Sequence, residues 1–109
     1  ALGAYAQFTE RKEGVMSLRR GFRLPEGARV FLMDDILTTG TSIRECHDAL
    51  KTLAIELVGC GCLVDRSDGR ADVAGLPLYA LLALDVRAWD PAECPLCAEG
   101  RPLEKPGSR

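Results

Sequence analysis

Two adjacent carboxylates, Asp34 and Asp35, are followed closely by a short segment of hydroxyl side chains and glycine, residues 38–42. Carboxylates accept hydrogen bonds from the hydroxyls of a sugar diol. A glycine-containing turn before a helix offers backbone N–H groups and hydroxyls to a phosphate. Residues of these types in this order therefore predict a ligand that carries both sugar hydroxyls and a phosphate.

The elements around these residues are predicted from the apolar pattern. Residues 30–33 form an apolar run that suits a strand buried on both faces, as in a parallel sheet. This places Asp34 and Asp35 at the carboxyl end of the strand, where open α/β sheets bind ligands. A strand, a helix and another strand joined by short links imply a parallel sheet. We predict strands over 29–34, 57–64 and 78–84 and a helix over 42–53.

Composition indicates an ordinary globular domain. The chain has 109 residues, of which 47% are hydrophobic and 28% charged, with a formal net charge of −2. This charge favours neither a nucleic-acid partner nor an acidic membrane surface. No apolar run approaches the roughly 20 residues of a membrane helix. An odd number of cysteines without a secretory signal indicates reduced thiols in the cytoplasm.

The proline-rich residues 89–109 are predicted to form an irregular tail, which contains a single Cys-x-x-Cys sequence at Cys94 and Cys97. A structural zinc site would need two further ligands. Cys60 and Cys62 have the wrong spacing, and His47 is the only histidine. We therefore favour a compact structural turn, with zinc binding and thioredoxin-like redox chemistry as alternatives.

Residues 30–42 resemble, position for position, the phosphoribosyl-pyrophosphate (PRPP) motif of type I phosphoribosyltransferases. Residues 8–13, 18–22, 63–67 and 94–109 are similar to segments of the orotate phosphoribosyltransferases within that family. The resemblance implies an α/β fold with a parallel sheet and flanking helices. Family members carry a substantial segment before the point where this chain begins. Residues 1–109 are therefore expected to form a single, N-terminally truncated domain that is marginal as a monomer and poor as a catalyst alone.

The resemblance also implies roles for individual residues. Asp34 and Asp35 would engage the ribose hydroxyls and act in catalysis. Thr38 and Arg66 would contact orotate, whose carboxylate suits a planar guanidinium group. Mg2+ would be held through the phosphates of PRPP and not directly by the protein. The PRPP-binding residues of this motif would be Asp34, Asp35, Ile36, Leu37, Thr38, Thr39, Gly40, Thr41 and Ser42.

Residues 10–24 are polar and basic, and we predict a mobile loop or hairpin there. By resemblance, this basic loop closes over the active site of the neighbouring subunit in a homodimer. Arg11 and Lys12 match its start and would bind PRPP, with Lys12 as the catalytic lysine. Arg19 and Arg20 lie further along the same loop.

The implied reaction converts orotate and PRPP to orotidine 5′-monophosphate and pyrophosphate, in pyrimidine (UMP) biosynthesis. Three alternatives stay open. The chain could belong to a phosphoribosyltransferase for another base, to a non-catalytic regulator that senses PRPP or nucleotides, or to an inactive remnant.

Overall fold

The computed structural model describes residues 3–19 and 21–104. Arg20 of the predicted basic loop and residues 105–109 of the predicted tail lie outside the described residues. The elements, in chain order, are β1 (Thr9–Lys12), β2 (Val15–Leu18), β3 (Arg29–Leu37), α1 (Thr41–Leu50), β4 (Glu56–Asp65), β5 (Leu78–Ala83) and α2 (Pro95–Ala98).

Strands β3, β4 and β5 form a parallel sheet in that order, which confirms the predicted strand–helix–strand arrangement. The register pairs Leu37 with Asp65 and Asp65 with Ala83, so all three strands end at one edge. Strand β3 extends three residues beyond the predicted end at Asp34 and therefore includes both carboxylates and Leu37. This edge carries the residues that the sequence singles out for ligand binding.

Helix α1 covers one face of the sheet. Ile43 and Leu50 lie one heptad apart, on one side of the helix, and both are buried. They pack into a core cluster with Leu32, Leu37, Cys60, Cys62 and Val73. The helix ends at Leu50 and not at the predicted Leu53, because the chain then turns back through a hydrogen bond from the Leu53 N–H to the Leu50 carbonyl at 2.9 Å. No helix among residues 3–19 and 21–104 could cross a membrane, given their lengths and composition.

The opposite face of the sheet carries exposed apolar side chains. Met33, Tyr79 and Leu81 are 65%, 63% and 83% exposed. The Phe31 ring lies over Gly61, where an added Cβ would come within 3.0 Å of the ring. The sheet is therefore apolar on both faces, as predicted, but only the α1 face is covered within the described residues.

The predicted loop at 10–24 contains an antiparallel hairpin of β1 and β2, in which Thr9 pairs with Leu18 and Lys12 with Val15. Its turn residues Glu13 and Gly14 both have positive φ, as a tight primed turn requires. The tail is irregular over most of its described length, apart from the short helix α2.

Candidate functional site

The loop between β3 and α1 exposes the start of a helix. Gly40 caps α1 with φ of 86°, and its carbonyl accepts the Arg44 N–H at 3.0 Å. The first N–H groups of an α-helix have no partner within the helix. The first turn of α1 contains no acidic residue and Gly40 supplies no side-chain cap, so these groups remain available to an anion.

Asp72 supports this loop from the segment after β4. Its backbone N–H donates to the Thr39 carbonyl at 3.3 Å. Its carbonyl oxygen lies so close to Gly40 that an added Cβ would stand 2.0 Å away. Glycine is therefore required at position 40 by contact as well as by φ. No sequence pattern indicates Asp72, which contacts the loop only because of the tertiary fold.

Arg44 ties the loop to Asp72. Its guanidinium donates to the Asp72 carboxylate at 3.1 Å and to Thr41 Oγ1 at 3.3 Å. The Thr39 and Thr41 hydroxyls are hydrogen-bonded to each other at 2.8 Å. These contacts connect the loop to α1 and Asp72 without a ligand, which would lower the entropy cost of binding.

The carboxylate pair precedes this loop on β3. Asp34 is partly buried and Asp35 is exposed. Asp34 Oδ1 accepts the Asp35 N–H at 3.0 Å, and Asp35 Oδ1 accepts the Ile36 N–H at 2.7 Å. Burial raises the pKa of Asp34, and repulsion from the Asp35 charge acts in the same direction. The pair is thus a crowded negative site suited to hydroxyl donors or a cation.

Asp65, at the end of the neighbouring strand β4, is in a different state. It is only 2% exposed and accepts hydrogen bonds from Ser67 N–H at 2.8 Å, Ser67 Oγ at 2.6 Å and Gly69 N–H at 2.7 Å. Burial alone would raise the pKa of Asp65, but these hydrogen bonds together hold it below its usual value. The Asp65 carboxylate therefore stabilises the turn that follows β4 by accepting these hydrogen bonds.

Arg66 is placed beside the end of β3 by that turn. Its backbone N–H donates to the Leu37 carbonyl at 2.8 Å, directly before Thr38. Its side chain is exposed and makes no ion pair with any described residue, whereas Arg70 pairs with Asp85. The structure therefore brings the two residues expected to contact orotate, Thr38 and Arg66, to the same edge of the sheet.

Arg11 and Lys12 lie on the hairpin, which packs against α1. The Arg11 guanidinium pairs with the Glu45 carboxylate, and Thr9 Oγ1 lies 3.1 Å from Cys46 Sγ. Lys12 is exposed at the end of β1. In this conformation Arg11 contacts the side of helix α1 and not the loop at 38–42.

Metal-ligating groups are sparse. Among the described residues there is no cluster of three or more His, Cys, Asp or Glu side chains that could hold a metal ion. The zinc alternative for Cys94 and Cys97 thus finds no third ligand there. The pair Asp34 and Asp35 could supply at most two carboxylates, which suits a cation held mainly by ligand phosphates.

This chain is similar in sequence to curated orotate phosphoribosyltransferases along nearly its whole length. The chain is 49% identical over 109 residues to orotate phosphoribosyltransferase of Desulforamulus reducens and 45% identical over 108 residues to that of Caldanaerobacter subterraneus subsp. tengcongensis. These matches cover 100% and 99% of this chain and 56% of each relative. The chain thus spans about half the length of the curated relatives it matches.

A solved structure shares the fold. The crystal structure of orotate phosphoribosyltransferase from Aeropyrum pernix matches with a TM-score of 0.53 and 29% identity, covering 69% of this chain and 44% of that chain. Residues 5–90 match the family described as the phosphoribosyl transferase domain. The chain therefore belongs to the phosphoribosyl transferase domain family.

Proposed function

We propose that the protein to which this chain belongs transfers ribose 5-phosphate from PRPP to orotate, giving orotidine 5′-monophosphate and pyrophosphate, in UMP biosynthesis. One observation carries the proposal. A carboxylate pair, a hydrogen-bonded helix-start loop and an arginine without an ion-pair partner among the described residues meet at one edge of the parallel sheet. The curated relatives that match the whole chain carry the name of this enzyme.

The loop and the carboxylate pair would bind PRPP. The free N–H groups at the start of α1 and the hydroxyls of residues 38–42 would hold the 5-phosphate. Asp34 and Asp35 would accept hydrogen bonds from the two ribose hydroxyls. Because Arg44 and Asp72 already fix the loop, little reorganisation would be needed on binding.

Arg66 and Thr38 would bind the base. Orotate differs from the other common nucleobases by its carboxylate, and a guanidinium group can bind a carboxylate through two hydrogen bonds. The Arg66 side chain is free to do so because it has no ion-pair partner among the described residues. The nearby Thr38 hydroxyl would contact the same ring.

In the reaction, the bond between the anomeric carbon and the pyrophosphate oxygen breaks, and a bond to N1 of orotate forms after N1 has lost its proton. Positive charge develops on the ribose as the leaving group departs. The carboxylates of Asp34 and Asp35 would stabilise that charge, and the chain would otherwise act by positioning the two substrates. When bound, Mg2+ would neutralise the pyrophosphate.

The hairpin would complete the site. The Arg11 guanidinium is paired with Glu45 on α1, and this ion pair would break for Arg11 to bind the pyrophosphate. Lys12, which is exposed, would then stabilise the departing pyrophosphate. We extend the proposal to a cytoplasmic homodimer in which this hairpin serves the neighbouring subunit.

Turnover tests the proposal. Pyrophosphate release from PRPP would be measured with orotate and Mg2+, on this chain and on the protein at the length of its relatives. Arg66→Ala would be compared with Arg29→Ala, which removes an exposed arginine at the opposite end of β3. We expect orotate-dependent turnover that Arg66→Ala abolishes and Arg29→Ala preserves.

Other outcomes separate the alternatives. Turnover with adenine, uracil or hypoxanthine in place of orotate would assign another base. PRPP binding without turnover at the full length of the relatives would favour a regulator or an inactive remnant.

A further inference from the structure

Cys94 and Cys97 are not used by the proposed function. Cys94 immediately precedes α2 and Cys97 lies within that helix, and both are half-buried with free thiols. They lie on the tail segment, whose backbone hydrogen bonds at residues 94–101 are made within that segment. A pair of neighbouring thiols that can be reached by solvent has chemistry of its own.

The backbone between the two cysteines is fixed from both sides. The Ala98 N–H donates to the Cys94 carbonyl at 3.1 Å, and Pro95 restricts φ directly after Cys94. After the helix, Gly100 adopts φ of 75° and its N–H donates to the Cys97 carbonyl at 3.0 Å. The Arg101 N–H donates to the Leu96 carbonyl at 3.1 Å, which completes a Schellman motif. The spacing of the cysteines is therefore set within this short segment.

The two thiols are also electronically different. Hydrogen bonds from the Cys97 backbone N–H and then from the Cys97 thiol lower the pKa of Cys94. The same thiol–thiol hydrogen bond raises the pKa of Cys97. Cys94 thus has the larger thiolate fraction at neutral pH, and Cys97 is placed to react second.

The other cysteines lack these properties. Cys60 and Cys62 are buried in the core, where burial raises the pKa of each thiol. Cys46 lies beneath the hairpin, against Thr9 Oγ1. Thiol reactivity in the described part of the chain should therefore concentrate at Cys94.

We propose that Cys94 and Cys97 form a reversible dithiol–disulfide site that exchanges with low-molecular-weight disulfides. The Cys94 thiolate attacks one sulfur of the small disulfide, whose S–S bond breaks to release a thiolate. Cys97 then loses its proton, and its sulfur attacks the Cys94 sulfur and expels the second thiolate. Two electrons pass from the cysteine pair to the small disulfide, and a reducing dithiol returns them.

Oxidation should leave the rest of the fold intact. The backbone hydrogen bonds that the structure gives for residues 94–101 lie within that segment. A disulfide between the two cysteines would therefore lock the short helix without moving the sheet. This predicts a local redox response and not a disulfide on which folding depends.

The test uses the reduced 109-residue chain and the protein at the length of its relatives, equilibrated with glutathione and glutathione disulfide in varied ratios. Free thiols would be alkylated and mapped by mass spectrometry. The wild type should form an intramolecular disulfide between Cys94 and Cys97. Cys97→Ser should trap glutathione on Cys94 about tenfold faster than Cys94→Ser traps it on Cys97.

Two controls keep this test decisive. Cys46→Ser should behave like the wild type, and concentrated urea should abolish the rate difference between the two single variants because the hydrogen bonds are lost. The proposal is overturned if no intramolecular disulfide forms at any ratio. Equal trapping by the two variants without urea, or preferential trapping at Cys46, would also overturn it.

Discussion

Carboxylates lie at or near the ends of β3 and β4, two neighbouring strands of the sheet, and their hydrogen bonding and burial differ. Asp65, at the end of β4, is buried and accepts three hydrogen bonds from its own turn. Asp34 and Asp35, near the end of β3, each accept one hydrogen bond from the next backbone N–H, and Asp34 lines the open cavity formed by the loop. Carboxylates on adjacent strands of the same edge can therefore serve either the fold or a ligand.

The residues that follow each carboxylate explain this difference. Asp65 is followed by Ser67 and Gly69, whose hydroxyl and N–H groups fold back as donors in a turn. Asp34 and Asp35 are followed by Ile36 and Leu37, which continue the strand and offer no side-chain donor. The comparison yields the following predictions.

The largest expected effect is on activity. Asp35→Asn removes a charge that repels Asp34 and does not stabilise the fold, so turnover at the length of the relatives should fall about 100-fold or more, while the free energy of unfolding should not decrease. Asp68→Asn makes the same chemical change at an exposed position and should retain activity. Wild-type turnover by Asp35→Asn would show that the pair does not serve the ligand.

Gly40→Ala should be the most destabilising single change at the loop. The new Cβ would collide with the Asp72 carbonyl, and the alanine would also have to adopt a left-handed φ. Gly69→Ala is a matched control, since Gly69 has φ of 79° but nothing near its added Cβ. In urea unfolding, Gly69→Ala should lower the free energy of unfolding by about 1 kcal/mol, and Gly40→Ala should lower it by at least about 2 kcal/mol more. Equal losses would mean that the contact with Asp72 does not constrain the loop.

Asp65→Asn should lower stability by about 1–3 kcal/mol, because an amide cannot accept all three hydrogen bonds that the carboxylate accepts. Asp68→Asn, in the same turn, should change it by less than about 0.5 kcal/mol. Chemical denaturation of both variants measures the difference. Similar stabilities would show that the buried carboxylate does not hold the turn.

The smallest predicted effect is on the pH dependence of stability, and it has opposite signs for Asp65 on β4 and Asp34 on β3. The lowered pKa of Asp65 gives stability above the unfolded-state pKa of about 3.9, and this stability is lost as pH falls through the folded-state pKa. The raised pKa of Asp34 gives stability that is lost as pH rises through its folded-state pKa. We compare the free energy of unfolding of each variant with that of the wild type as pH rises from 3 to 7, roughly the range in which carboxyl groups titrate. Over this rise Asp65→Asn should become less stable relative to the wild type, and Asp34→Asn should become more stable relative to it. Changes of the same sign would contradict this assignment.

The sequence predicted much of this edge correctly. The apolar run at 30–33, the loop and the following helix follow from local pattern, and the parallel pairing follows from the short links between elements. The apolar spacing predicts an end of α1 three residues too late, because this spacing continues past Leu50 although the helix does not. Asp72 and the partners of Asp65 and Arg11 could not be predicted, since those contacts depend on tertiary packing or on the exact shape of a turn.

PRPP binding to the 109-residue chain, measured by titration calorimetry with Mg2+, tests most directly the claim that the edge at β3 is a preformed ribose-phosphate site. We predict that the wild type binds PRPP, that Asp35→Asn does not, and that folded Asp65→Asn still does. The account would be contradicted by PRPP binding to Asp35→Asn with wild-type affinity.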